Sequence, residues 1–291
     1  MHDIFYFTDV HGQLDLFQTM RDWCYAQDPE CMIVYGGDAC DRGEFGMDIM
    51  EAILDDSQIV YIRGNHEDMF IKAARELAAN NPEIKNRRLT IQEANDLIDR
   101  ESWLHWMYLS LRNGGRPTIK AWLLDGTSMD FIDRLEKRTC LTFELDNGVC
   151  FSHAGGTYEA WQRAHDCEYE NDFVDKDDAE EMIWDRSMLN ACWPENKIIV
   201  FGHTPTCYLS ESTPAEYQHE REMRPVAYRS TYKDGDTSGW HIGMDTGMTF
   251  YGRGYVLNCL TMNVTGFYDQ DVHMQDSKRA VKIGFENFKI I

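Results

Sequence analysis

Ile4-Phe5-Tyr6-Phe7-Thr8-Asp9-Val10-His11-Gly12 opens a pattern that recurs twice. Cys31-Met32-Ile33-Val34-Tyr35 runs into Gly36-Gly37-Asp38-Ala39-Cys40-Asp41-Arg42-Gly43, and Ile59-Val60-Tyr61-Ile62 runs into Arg63-Gly64-Asn65-His66-Glu67. Each begins with a short continuous apolar run, the signature of a buried strand. Between them, Leu14 to Tyr25 and Gly46 to Leu54 carry apolar residues at helical spacing. The order is therefore βαβαβ. Such a sheet gathers its chemistry beyond the carboxyl ends of its strands, which is where Asp9, His11, Asp38, Asn65 and His66 fall.

Two later strands end the same way. Asp146-Asn147-Gly148 is a hairpin signal joining Leu141–Leu145 to Val149–Ser152, and the second of these runs into His153-Ala154-Gly155-Gly156. Lys197–Phe201 runs into Gly202-His203-Thr204-Pro205. Carboxylate, amide oxygen and imidazole are ready ligands for a divalent cation, and a carboxylate such as Asp38 can bridge two of them.

The remaining segments complete the organisation. Glu67 to about Leu111 is expected to be helical with a break at Asn80-Asn81-Pro82, ended by Asn113-Gly114-Gly115, and a shorter helix is expected near Asp130–Lys137. On that helical stretch Trp103, Trp106, Met107 and Tyr108 read as core. Ile242 to Gly247 and Gly254–Asn263 read as strands completing a second sheet. Residues 206–240 are polar and aperiodic, and read as a long loop or small subdomain. With no linker in sight, residues 1–291 read as one domain carrying that insertion.

Bulk composition excludes several classes. A formal charge of −22 repels phosphate backbones and argues against a nucleic-acid partner. The acidic run from Glu168 to Glu181 reads as solvated surface. No stretch approaches the ~20 apolar residues of a membrane span, and the apolar run after Met1 is too short for a secretory leader. Nine scattered cysteines without C-x-x-C spacing imply reduced thiols and a cytoplasmic location. His105, His165, His219, His241 and His273 lack strand-end context and read as surface or capping residues.

The five motifs together resemble the phosphoprotein phosphatase family of binuclear metallophosphoesterases, especially its compact bacterial and bacteriophage members. The family signatures GDxxDRG, GNHE, HAG and GHT are all matched, and the first, GDxHG, is met except that Thr8 stands in place of glycine. The resemblance covers residues 5 to about 260. It implies a calcineurin-like metallophosphoesterase fold, an α/β two-sheet β-sandwich flanked by helices. It further implies one metal held by Asp9, His11 and Asp38, and a second reached by the Asp38 bridge and completed by Asn65, His153 and His203. Manganese is the commonly activating ion, with iron and zinc as alternatives. Two such ions ~3.5–4 Å apart share a hydroxide that attacks phosphorus directly.

In that scheme His66 is the general acid, Asp41 fixes its tautomer, and Arg42 forks onto the phosphate. Arg186, in Ile183-Trp184-Asp185-Arg186, is the candidate second phosphate-binding arginine, with a surface role facing the acidic run as the competing reading. Arg63 is expected to pair structurally. The implied activity is hydrolysis of phosphoserine and phosphothreonine, with phosphotyrosine and small phosphoesters as further substrates. The alternative within the fold is a dinucleoside polyphosphate hydrolase, disfavoured by Glu67 and Asp41, since those members show GNHD and an alanine at the position of Asp41. Pro205 two residues after His203 disfavours the GHxH nuclease and phosphodiesterase branches.

Overall fold

The computed structural model describes residues 1–170, 173–189, 191–209, 225–231, 237–269 and 275–276. In chain order its strands are β1 (Ile4–Phe7), β2 (Met32–Tyr35), β3 (Ile59–Ile62), β4 (Thr139–Cys140), β5 (Thr142–Glu144) and β6 (Val149–Ser152). There follow β7 (Ile198–Phe201), β8 (Val226–Thr231), β9 (Thr237–Gly243), β10 (Arg253–Asn258), β11 (Asn263–Asp269) and β12 (Gln275–Asp276). The helices are α1 (Leu14–Gln27), α2 (Gly46–Asp55), α3 (Asn65–Asn80), α4 (Ile91–Arg100), α5 (His105–Arg112) and α6 (Arg116–Asp125). The later ones are α7 (Met129–Arg138), α8 (Tyr158–Glu170), α9 (Lys176–Ile183), α10 (Thr206–Leu209) and α11 (Met248–Tyr251). Among the described residues no helix is long and apolar enough to cross a membrane.

The strands form two sheets, ordered β12-β11-β10-β1-β2-β3-β4 and β5-β6-β7-β9-β8. Strands β1 to β4 are parallel neighbours, as are β6, β7 and β9. Alternate residues of each central strand point to opposite faces, and both faces are covered. Tyr6, Val34 and Ile62 of the first sheet share a core with Phe151, Val200 and Ile242 of the second, and the Tyr6 and Phe151 rings stack at 5.5 Å. Their neighbours Phe5, Phe7, Ile33 and Tyr35 face outward into a core with Phe17, Met20, Met50 and Leu77 from α1, α2 and α3. Ile199 and Phe201 face Trp161, Met182 and Trp193 on the far side. Burial on two faces is why these strands read as unbroken apolar runs.

The structure corrects several expectations. Residues 254–258 join the first sheet rather than the second: β10 lies antiparallel to β1, with Phe5 opposite Asn258. The strand expected at 242–247 begins earlier, at Thr237, and leaves the sheet after Gly243. Within 206–240, α10, β8 and the start of β9 are regular structure, while 210–224 and 232–236 lie outside the described residues. Asn113-Gly114-Gly115 ends α5 as expected, with Asn113 as its C-cap and Gly114 at φ +93°, but a further helix, α6, follows at once, capped by Gly115 with Pro117 harmlessly in its first turn. Trp103 and Tyr108 are 71% and 51% exposed, whereas Met107 is buried. With α5 starting only at His105, its buried face is the one carrying Met107 and Ser110.

The acidic run is only partly a solvated surface. The Glu168 carboxylate accepts from the Leu141 and Thr142 backbone N–H groups and from the Thr142 hydroxyl, and buried Asp178 takes a two-nitrogen fork from Arg163. Arg63 pairs structurally, its guanidinium donating to the Thr139 hydroxyl at 2.8 Å and to the Glu136 carbonyl. His219 and His273 lie outside the described residues.

His241 is fully buried in the second sheet, stacked at 4.9 Å on Tyr228 and edge-on to Trp193 at 6.4 Å, not at the surface. Burial pushes its imidazole down to about 4. The folded state therefore resists a proton that the unfolded chain accepts near pH 6.5, so stability falls as pH drops from about 6.5 toward 4. The expected contribution is as much as about 3 kcal/mol at the acid end of that window. In His241→Leu the acid limb of a urea-midpoint-versus-pH profile flattens by a corresponding amount. An unchanged limb would show that His241 is not the group being charged.

Candidate active site

The sandwich brings five strand ends to one edge: β1, β2 and β3 from the first sheet, β6 and β7 from the second. The loops after β1 and β2 are laced together, with Asp9 N–H to Gly37 O at 3.0 Å, His11 N–H to Asp38 O at 3.0 Å and Gly12 N–H to Ala39 O at 2.7 Å. The lacing is tight enough that a Cβ on Gly12 would lie 2.6 Å from the Gly43 carbonyl carbon. Gly37, at φ +97°, passes so close to His153 that a Cβ there would stand 2.7 Å from its Nδ1. These contacts account for the glycines of the motifs.

Six of the nine described non-glycine residues with positive φ are Asp9, His11, Asp38, Asp41, Arg42 and His203. Each costs of order 1–3 kcal/mol, and such residues persist only where surrounding contacts hold them. Here they coincide with the candidate site residues.

Asp38 lies at the centre. Its Oδ2 is 3.5 Å from His11 Nε2 and 3.8 Å from His66 Nε2, while its Oδ1 is 3.3 Å from His153 Nε2. Two sets of ligand atoms result, His11–Asp38–His66 and Asp38–His153–His203, each with its atoms within 4.8 Å of one another. Asn65 Oδ1 belongs with the second set, 3.1 Å from His153 Nε2 and 2.9 Å from His203 Nδ1. Asp9 falls in neither triad. Its carboxylate accepts from the Thr8 hydroxyl at 2.6 Å and from the His203 backbone N–H at 3.2 and 3.3 Å.

The ring nitrogens facing away from the centre are committed. His11 Nδ1 meets Cys40 O at 3.0 Å, His153 Nδ1 meets Gly36 O at 2.7 Å, and His203 Nε2 meets Trp184 O at 3.0 Å. A carbonyl can only accept, so each of these nitrogens carries the N–H. In the neutral ring, the opposite nitrogen then presents a lone pair to the carboxylate or amide oxygens of Asp38 and Asn65. A cation placed between these groups, at separations of 2.9–3.3 Å, would find lone pairs converging on it from both sides. This is the arrangement in which histidines ligate metals, and the donor set fits divalent cations.

The electrostatics follow the same logic. Burial opposes a charge on His153, yet the Asp38 carboxylate beside it holds its pKa up at about 10. His203 is pushed down to about 3 by burial and by His153. Burial and the nearby Asp245 carboxylate raise Asp9.

His66 differs from the other rings. Its Nδ1 is 2.8 Å from the Asp41 carboxylate, leaving Nε2 toward Asp38 and 3.3 Å from an Arg42 guanidinium nitrogen. Burial opposes its protonation, but Asp38 and Asp41 together raise its pKa above the ordinary histidine value. Arg42 is anchored by its backbone N–H on Gly114 O at 2.9 Å. Arg186 is exposed, and its backbone N–H turns to its own neighbour Asp185. It lies near enough to His203 for its charge to disfavour protonation of that ring.

Two buried acids had no assigned role in the sequence. Glu67 accepts backbone N–H bonds from Asp38 at 2.9 Å, Ala39 at 2.7 Å and Gly64 at 2.8 Å, tying the second loop to the start of α3. The fourth letter of GNHE was its signal. Asp245 lies past the end of β9, pushed up to about 6 by burial, and its Oδ1 accepts the Gly247 N–H at 2.8 Å. The Asp-Thr-Gly turn was the cue.

The sequence profile of the calcineurin-like phosphoesterases matches residues 2–207, and the chain belongs to that family. It is thus a metallophosphoesterase, a hydrolase of a family that uses divalent metals. No curated protein matches it. Among solved structures, a cold-active protein tyrosine phosphatase at 1.1 Å is 16% identical, with a TM-score of 0.54 over 95% of this chain and 78% of that one. The cold-active protein-tyrosine phosphatase of a psychrophile, Shewanella sp., is 15% identical, with a TM-score of 0.51 over 95% of this chain and 80% of that one. At these identities the likeness is one of fold.

Proposed function

We propose that the chain is a two-metal phosphomonoesterase acting on phosphoserine and phosphothreonine, with phosphotyrosine and small phosphoesters as further substrates. One cation is assigned to Asp9, His11 and Asp38, the other to Asp38, Asn65, His153 and His203. Bound there, the ions would supply a deprotonated water and neutralise charge at phosphorus. The chain's own groups do the rest. Arg42 forks onto non-bridging phosphate oxygens, with Arg186 as its candidate partner at the mouth. In its charged form His66 carries a proton on each ring nitrogen: Asp41 accepts the one on Nδ1, which fixes the ring's orientation and favours its charge, and Nε2 gives the other to the departing alkoxide. The observation that carries the reading is the buried His66–Asp41 pair at 2.8 Å, which turns Nε2 toward Asp38 and Arg42. Eight described cysteines are free thiols, which supports placement in a reducing cytoplasm.

Removing metal with a chelator is expected to abolish turnover of a phosphoserine peptide, and manganese is expected to restore more of it than iron or zinc. The same preparations should cleave diadenosine tetraphosphate far more slowly. Full activity after chelation, verified by elemental analysis, would sink the two-metal reading. Faster cleavage of the dinucleotide would move the chain to the polyphosphate branch.

A further inference from the structure

We infer that Phe250 forms a subsite for an aromatic leaving group, which gives phosphotyrosine and other aryl phosphate monoesters a contact that phosphoserine lacks. The inference rests on the phosphomonoesterase reading above and narrows it. Phe250 is 67% exposed, yet its ring lies against the site, with the Arg42 guanidinium carbon 5.4 Å from its centroid. That same guanidinium is 3.3 Å from His66 Nε2. The ring is therefore one guanidinium away from the atom that meets the leaving oxygen. A flat group carried on that oxygen would lie within reach of the ring.

The ring is held by its turn. Gly247 and Gly252, at φ +65° and +62°, bracket α11. Asp245 accepts the Gly247 N–H, and buried Met248 roots the turn in the core of the first sheet. A ring presented on an anchored turn loses little freedom when something stacks on it. The side chain of phosphoserine brings a single methylene past this point, whereas an aryl ester brings a flat face that can pack on the ring beside the cation.

The test compares wild type, Phe250→Ala and Phe250→Trp on a phosphotyrosine peptide, a phosphoserine peptide of the same sequence, and p-nitrophenyl phosphate. Inhibition by inorganic phosphate is measured alongside as a readout of Arg42. In Phe250→Ala the ratio of kcat/KM for the phosphotyrosine peptide to that for the phosphoserine peptide is expected to fall about three- to tenfold. The loss should be carried by KM, and Phe250→Trp should restore the ratio. A ratio that does not move overturns the subsite. Equal losses on both peptides, with weaker phosphate inhibition, would overturn it too and leave Phe250 as a support for Arg42. A wild type that cleaves the phosphoserine peptide upholds the parent reading whatever the ratio does, and one that cleaves no monoester removes both.

Discussion

His66→Asn lowers turnover of a phosphoserine peptide by about 10²–10⁴-fold and turnover of p-nitrophenyl phosphate far less. The difference lies in the leaving groups. A serine alkoxide must be protonated as it departs, whereas p-nitrophenolate leaves readily without help. Asp41→Asn follows the same pattern with a smaller loss, about 10–100-fold, because the acid survives but its orientation and charge support are weakened. Steady-state kinetics on the two substrates, with metal content measured on the same samples, separates the roles. His66 also lies in the triad with His11 and Asp38. If it were a ligand, both substrates would lose rate equally and metal content would fall with them.

Glu67→Ala should destabilise the protein by about 4 kcal/mol, since three buried N–H groups would lose a charged acceptor together. A drop in melting temperature of roughly 8–12 °C is expected. Turnover should fall about 100-fold as well, because the residue carrying Asp38 is held by one of those bonds and a shift of an ångström at a reacting centre is enough for that loss. Glu67→Gln provides the graded control. Oε2 serves Asp38 and Gly64 while Oε1 serves Ala39 alone. An amide with its oxygen toward the pair therefore forfeits one bond, for roughly 1–2 kcal/mol. Equal effects of the two substitutions in calorimetry would mean that the bonds to the carboxylate do not hold the loop.

The first three strands and the helices between them were legible to within a residue or two, because a strand buried on both faces leaves an unbroken apolar run. The ligand motifs were legible for a related reason. Each follows such a run directly, so proximity in sequence becomes convergence in space. The pairing of β10 with β1 was not legible, since about 250 residues separate Phe5 from Asn258 and nothing in either segment names the other. Tyr108 was misread because the rotational phase of an eight-residue helix depends on where it starts, and Trp103 because it falls in the turn before that helix. Glu67, Glu168 and Asp245 escaped for another reason. Their partners include backbone N–H groups, which every residue except proline carries and which leave no trace in composition.

The stretch matched by the family profile stops at residue 207, yet one of the two strands that flank β1, β10, and one of the two that flank β7, β9, come from beyond it. A fragment cut at that point would bare a row of unpaired main-chain donors and acceptors on the innermost strand of each layer, an open template for self-association. What is recognisable as the family's portion is therefore not a unit that can stand alone. The less conspicuous C-terminal third seals it.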